Sequence, residues 1–308
     1  MSSWIRSIKI RLLPERSLEF EAFYVKGLIF SIEEFAVHDG EGLRTAVFFK
    51  GCPLRCRWCH NPEGLLPKPQ RIRNNNGCLH CGRCEQACSS RKHCIACGQC
   101  AAYCPRGLIR IAGEYWEAAV LAARVKRNFP CGVKGGVTLS GGEVFMQPEF
   151  LLELLEYLRP LHRAIETSAY CTPDIFSQAL KKLEFVFMDV KLMDDQLHQH
   201  YTGVSNRPVL ENLEVLKSSG IPFVIRIPMI AGVNDSFENA FLLGKRLSGC
   251  PGLQAVELLP YNTMAGAKYS LLGWKYKEKF ESPETQKLEQ LVDVFSQMKV
   301  PARYRKQV

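Results

Sequence analysis

Three cysteines, Cys52, Cys56 and Cys59, sit in the segment FFKGCPLRCRWCHNPEG with the spacing C-x3-C-x2-C. Thiolates are soft, charged donors that suit zinc and iron–sulfur chemistry. A structural site of either kind normally takes four protein ligands, and no fourth cysteine stands beside these three. A catalytic metal site offers such an incomplete ligand set when one position is kept for a substrate.

Two further runs follow. CLHCGRCEQAC supplies Cys78, Cys81, Cys84 and Cys88, and CIACGQCAAYCP supplies Cys94, Cys97, Cys100 and Cys104. Both read C-x2-C-x2-C-x3-C, the spacing of bacterial two-cluster ferredoxins, in which the fourth cysteine of each run ligates the other cluster. One 4Fe–4S cluster is therefore expected on Cys78, Cys81, Cys84 and Cys104, and a second on Cys94, Cys97, Cys100 and Cys88. Paired zinc knuckles are the alternative. They usually carry longer separations and histidine, and His80 and His93 fall outside the repeat. Eleven of the chain's 14 cysteines lie between Cys52 and Cys104. The other three, Cys131, Cys171 and Cys250, read as small core residues or free thiols.

The elements that must position these residues are legible after Cys104, where apolar strand-like runs alternate with helical stretches. Strands are expected at Val137–Ser140, Ala164–Thr167, Phe185–Val190, Phe223–Ile227 and Ala255–Leu259, with another before the cysteines at Thr45–Lys50. Helices are expected near Tyr115–Asn128, Pro148–Leu158, Thr172–Lys182, Pro208–Ser218, Phe237–Leu247 and Pro283–Met298. Near-continuous apolar strands are those covered on both faces. The pattern predicts an α/β fold, a partial (β/α)6 TIM-like barrel over residues 25–308. A small cysteine-dense insert interrupts it at 74–107, and an extension precedes it at 1–24. Chemistry in such barrels sits at the C-terminal ends of the strands, where the first cysteine motif falls.

Composition bounds the rest. The chain has 308 residues, 46% hydrophobic and 23% charged, ordinary for a globular protein. No apolar run approaches the ~20 residues of a membrane span, and the N-terminus lacks a signal-peptide core. A cytoplasmic location follows as an expectation, and a disulfide framework is disfavoured. The net charge is +9. Its basic residues read as scattered, which argues against nucleic acid and leaves a solvated surface or an acidic protein partner.

With these residues in hand, the chain resembles a known family. C-x3-C-x2-C with Trp58 before the third cysteine is similar to the radical S-adenosylmethionine (SAM) enzymes. The resemblance implies that three thiolates hold three irons of a 4Fe–4S cluster. The fourth iron is left for SAM, which lies beside Trp58, Cys59 and His60. TLSGGE (Gly141, Gly142, Glu143) resembles the motif that recognises the SAM amino group. MDVK (Asp189, Val190, Lys191) resembles the element that handles its ribose and carboxylate, and Asn262 in LLPYN stands where several relatives place a histidine beside SAM. The segments AIETSAY, HQHYTGVSN and RIPMIAGVND narrow the resemblance to glycyl-radical-enzyme activating enzymes, over roughly Gly27 to Tyr269. In that family a monovalent cation beside SAM would match Glu166, Thr167, Asp189 and the Phe187 backbone.

The implied reaction is a one-electron reductive cleavage of SAM. It gives methionine and a 5′-deoxyadenosyl radical, which takes hydrogen from a backbone glycine of a partner glycyl radical enzyme. No general acid or base is required, so His162, His198 and His200 need no catalytic role. The insert's clusters would relay electrons from a flavodoxin or ferredoxin, and the chain is expected to act anaerobically as a monomer. Two other readings stay open: a radical SAM enzyme acting on a small molecule or another peptide, and a ferredoxin-type electron carrier.

Overall fold

A computed structural model of the chain describes residues 25–36, 40, 42–90, 93–129 and 135–305. The extension 1–24 and Cys131 lie outside the described residues. The strands are β1 (Lys26–Ala36), β2 (Leu43–Phe49), β3 (Gln70–Arg73), β4 (Ile109–Ala112), β5 (Glu114–Glu117), β6 (Gly135–Gly141), β7 (His162–Thr167), β8 (Phe185–Asp189), β9 (Phe223–Met229), β10 (Leu253–Pro260) and β11 (Ala302–Tyr304). The helices are α1 (Arg83–Gln86), α2 (Gln99–Ala102), α3 (Ala118–Lys126), α4 (Pro148–Tyr157), α5 (Pro173–Leu180), α6 (Asp195–Thr202), α7 (Arg207–Ser218), α8 (Phe237–Leu247), α9 (Ala265–Leu271) and α10 (Thr285–Gln297).

Nine strands form one sheet in the order β11-β10-β9-β8-β7-β6-β2-β1-β5. From β2 to β11 every pair is parallel. At the other edge β1 runs antiparallel to both β2 and β5. The two edges, β5 and β11, are not paired to each other, so the barrel is partial, as its apolar strand pattern predicts.

The six expected strands are all present. The helix expected over Tyr115–Asn128 is shorter than its pattern. Tyr115 and Trp116 instead extend as β5 beside Leu28 and Gly27 of β1, and the helix starts at Ala118. Aromatic residues favour a half-buried pleat, and an edge strand was there to receive them. The strands β1 and β11 and the helices α6 and α9 complete the fold beyond the expected set.

The period-2 alternation of the strands sorts the side chains into two sets. One set faces the helices and forms the main core, with Leu139, Ile165, Val186, Ile225 and Val256 fully buried against residues such as Phe150, Leu154 and Leu213. Each such side chain contributes about 1.5–3 kcal/mol by leaving water. The other set faces the barrel interior in layers. Ala164, Phe187, Val224 and Ala255 make an apolar layer. Two residues further along each strand stand Glu166, Asp189, Arg226 and Glu257, a charged layer nearer the C-terminal ends. Arg226 is 3% and Glu257 1% exposed, and they pair with each other at 3.3 Å. Cys171 and Cys250 are partly buried against the main core as free thiols, as expected.

The cysteine-dense segment leaves the barrel through β3 and returns through β4. The two strands pair antiparallel, Gln70 opposite Ala112 and Arg73 opposite Ile109. The excursion is thus rooted on a two-stranded stem flanking the expected 74–107.

Candidate active site

The first cysteine loop starts where β2 ends. Lys50, 1% exposed, donates from Nζ to the Glu63 carbonyl and, at 2.7 Å, to Gln70 Oε1. Burial lowers its ammonium to about 8, against the pull of Glu63. It ties the loop's return and the insert's stem to the strand end. The loop itself is held by backbone bonds. Gly51 N–H donates to Gly64 at 2.7 Å and Cys52 N–H to Leu65 at 3.2 Å, while Arg55 and Arg57 donate to Thr202 and Tyr201 of α6 at 2.7 and 2.9 Å. Trp58, 4% exposed, packs with Leu192, Ile230, Tyr261 and Ala265, and its ring lies 5.9 Å from that of Tyr201 and 6.0 Å from that of Phe280. The aromatic before Cys59 therefore anchors the loop against the β8, β9 and β10 ends.

The GGE segment fits against this loop with no space to spare. A Cβ on Gly142 would lie 2.3 Å from the Gly51 carbonyl oxygen and 2.4 Å from that of Gly64. One on Gly141, whose φ is +124°, would lie 2.3 Å from the Phe49 oxygen. Gly142 N–H donates to Phe49 and Glu143 N–H to Gly51, both at 2.8 Å. The two glycines thus have a packing reason: they let the end of β6 clamp the cysteine loop.

Glu143 is 2% exposed. Its carboxylate accepts from Thr167 Oγ1 and Ser168 Oγ at 2.5 Å, from Ser168 N at 2.9 Å and from Phe145 N at 3.3 Å. Burial pushes its pKa up, and the Ser168 and Thr167 hydrogen bonds oppose that. Ser168, at the end of β7, was not expected as a site residue.

Asp189 and Lys191 form an ion pair at 2.8 Å, with Val190 between them buried. Burial alone would lower the Lys191 ammonium. The Asp189 carboxylate and Cys56 outweigh it and hold the pKa above the usual lysine range. Two asparagines fix this loop. Asn206 donates from Nδ2 to the Leu192 and Met193 carbonyls at 3.1 and 2.8 Å. Asn234 donates to Lys191 and Pro228 at 3.0 and 2.7 Å. They come from the GVSN and AGVND segments, which accounts for those segments physically. His60 and Asn262, expected to flank SAM, are brought together: His60 Nε2 lies 3.0 Å from the Asn262 carbonyl oxygen.

The three thiols are partly buried. Burial pushes the Cys56 thiol up to about 12, with Lys191 opposing. Burial, then the Glu143 charge, raises Cys52, and burial raises Cys59. Among the described residues no group of three or more His, Cys, Asp or Glu closes on a single metal ion. A four-iron cluster asks something different, one thiolate for each iron corner. Three soft donors on one loop, beside a buried ammonium and with no fourth thiolate, fit it.

In the insert the chain folds twice in the same way. Gly82 and Gly98, at φ 71° and 82°, precede α1 and α2, and the residues two positions earlier, His80 and Ala96, are also left-handed at 50° and 54°. Each repeat encloses a cavity. One, about 110 Å³, is lined by Cys78, Cys81, Cys84 and Cys104. The other, about 200 Å³, is lined by Cys88, Cys94, Cys97 and Cys100. These are the two crossed ligand sets expected from the spacing. Arg73 Nη2 donates to Cys78 Sγ at 3.8 Å and Leu108 N–H to Cys104 Sγ at 3.4 Å. Both cavities carry the donor set a 4Fe–4S cluster needs.

The candidate cation ligands are already engaged. Glu166 accepts from Ser140 Oγ at 2.7 Å and pairs with Arg226 at 2.6 Å. Thr167 donates to Glu143 and Asp189 pairs with Lys191. Arg226 places a positive charge beside Glu166. Arg226 and Glu257 were not expected. Their signal was a charge inside an otherwise apolar strand, in FVIRIPM and LQAVELLP.

The Radical SAM superfamily profile matches residues 46–243, from β2 into α8. The chain belongs to the radical SAM superfamily. It is 38% identical over 295 residues to the 4-hydroxyphenylacetate decarboxylase activating enzyme of Clostridium scatologenes, spanning 88% of this chain and 94% of that protein. It is 37% identical over 274 residues to the choline trimethylamine-lyase activating enzyme of Oleidesulfovibrio alaskensis, spanning 82% and 88%. Among solved structures, a radical SAM methyltransferase from Sphaerobacter thermophilus shares the fold, with a TM-score of 0.52, 16% identity, and coverage of 85% of this chain and 66% of that one. Radical SAM membership sets aside the plain electron carrier. No helix among the described residues is long and apolar enough to cross a membrane.

Proposed function

We propose that this protein activates a partner glycyl radical enzyme. A single observation carries the reading: the C-x3-C-x2-C loop, the GGE turn and the Asp189–Lys191 pair stand at the C-terminal ends of parallel strands of one sheet, β2, β6 and β8, in a chain homologous to activating enzymes throughout its barrel. Cys52, Cys56 and Cys59 would hold a 4Fe–4S cluster, which would supply the one electron for reductive cleavage of SAM to methionine and the 5′-deoxyadenosyl species that takes hydrogen from the partner's glycine. The chain's own work is to bind, orient and exclude water. Asp189 and Lys191 are assigned to the SAM ribose and carboxylate, and Glu143 to the SAM ammonium, a role it would combine with bracing Thr167 and Ser168. The partners named among the relatives include a decarboxylase, a choline trimethylamine-lyase and an isethionate sulfite-lyase, at 38%, 37% and 36% identity. The common element is radical transfer rather than the partner's substrate.

The test is anaerobic reduction with SAM present. Release of 5′-deoxyadenosine together with a glycyl radical signal on an added glycyl radical enzyme is the expected result. 5′-Deoxyadenosine without any protein radical would favour small-molecule chemistry. We further propose that the insert's cavities hold two auxiliary 4Fe–4S clusters relaying electrons from a flavodoxin or ferredoxin. Anaerobic reconstitution should then give about twelve irons per chain. Four irons, or stoichiometric zinc, would remove the auxiliary clusters from the reading.

Glu143→Ala is expected to weaken SAM binding without loss of iron. A hydrogen bond to a charged group contributes about 1.5–3 kcal/mol, so affinity should fall roughly ten- to a hundredfold. The melting temperature should fall as well, because Thr167 and Ser168 lose their acceptor. A lowered melting temperature with unchanged SAM affinity, by calorimetry, would leave Glu143 only as a brace.

A further inference from the structure

The chain's positive charge is not scattered, as the whole sequence suggested. Between positions 70 and 112 stand seven Lys or Arg and one acidic residue, Glu85, so this segment carries +6 of the chain's +9. Arg71, Arg83, Arg106 and Arg110 are exposed. The same small unit exposes three large apolar side chains, Leu79 at 60%, Ile95 at 68% and Tyr103 at 61%. Leu79 and Arg106 line the first cysteine cavity, and Ile95 and Arg71 the second. Leu79 and Ile95 hold equivalent places in the two cysteine runs.

Anionic clusters in the cavities would account for some of this charge. Arg73, bonded to Cys78, faces that task. Arg83 and Arg110 line neither cavity, so cluster charge does not explain them. Nor does it explain the exposed apolar residues. Exposed large apolar side chains on a unit of strong net positive charge mark a protein-binding surface, even with Glu85 beside Leu79 in the first cavity.

We infer that the insert surface around Leu79, Arg83 and Ile95 docks an acidic one-electron carrier protein. This rests on the reading of the insert as an electron relay. Leu79 and Ile95 line the cysteine cavities, where close contact shortens the path from donor to cluster. The surrounding arginines steer an acidic partner onto them and speed encounter more than they tighten binding. One electron passes from the carrier's reduced cofactor to an oxidised cluster. The carrier is oxidised by one electron, and no covalent bond changes.

The test uses the reconstituted holoenzyme, reduced in stopped flow by reduced flavodoxin at rising ionic strength. The wild-type rate should fall steeply with salt, since screening shortens to about 8 Å at physiological ionic strength. Arg83→Glu should slow the reaction about tenfold at low salt and flatten its salt dependence, while Arg83→Lys keeps both. Reduction by reduced methyl viologen, a small cation, should not slow in Arg83→Glu. A salt-independent wild-type rate, or an Arg83→Glu rate equal to wild type, would overturn the proposal. Equal slowing with methyl viologen would also overturn it, by placing Arg83 in the cluster's own environment. So would an Arg83→Glu defect confined to glycyl-radical formation under chemical reduction, which would give the surface to the glycyl radical enzyme instead. A holoenzyme with only four irons would sink the relay reading itself, an outcome seen before any rate is measured.

Discussion

Cys56→Ala should reduce 5′-deoxyadenosine release to background while the insert keeps its iron. The barrel loop offers three thiolates and no spare. His60, the nearest alternative donor on the loop, is turned to the Asn262 carbonyl. The insert's cysteines line separate cavities, so their occupancy does not depend on Cys56. Iron should drop from about twelve to about eight per chain. The fold should survive, since Trp58 and the backbone bonds to Gly64, Tyr201 and Thr202 hold the loop without metal. Wild-type SAM cleavage by this variant would take the loop out of the reaction.

Cys97→Ala divides a relay from a brace. Cys97 is exposed and lines the second cavity with Cys88, Cys94 and Cys100, so its loss should empty that cavity of iron and leave SAM binding at the barrel unchanged. If electrons pass through the insert, glycyl-radical formation driven by flavodoxin should fall to a small fraction of wild type. Dithionite, small enough to reach the barrel cluster directly, should restore part of it. Equal loss with both reductants would make the insert a docking or structural element. No loss in a variant shown to lack the iron would make it dispensable for activation.

The strands of the barrel were legible because they are buried on both faces, which leaves apolar runs such as those of β7 to β9. The strand β1 was not, because only its first half is buried and Glu33, Glu34 and Phe35 in its second half are exposed. The cysteine spacings carried the grouping of cysteines around the two cavities, since the repeat sets that grouping by local geometry. What spacing could not carry was the company each motif keeps. Glu143 was legible as a carboxylate beside glycines, but its bonds to Thr167 and Ser168 join residues far apart in sequence. The same holds for Arg226, whose partner Glu257 lies on the adjacent strand β10 and whose partner Glu166 lies on β7, one strand beyond β8. Long-range ion pairs leave no periodic trace, only an out-of-place charge in an apolar run. The choice of strand over helix at Tyr115–Trp116 was likewise made by a neighbour, β1.

The pairing of Gln70 with Ala112 and Arg73 with Ile109 puts the departure and the return of the cysteine-rich excursion side by side. Whatever hangs from that stem spans almost no distance across the barrel. A short turn from Arg73 to Ile109 would close the gap and leave every parallel strand connected as before. Loop-closure entropy changes slowly with length, so exchanging the excursion for such a turn should cost the barrel little. The insert is thus a detachable cartridge, and the sockets that hold it, Lys50 against Gln70 and Gly113 against Pro69, lie wholly outside its cysteines. The barrel could keep its strands and its cysteine loop while the excursion is exchanged for another.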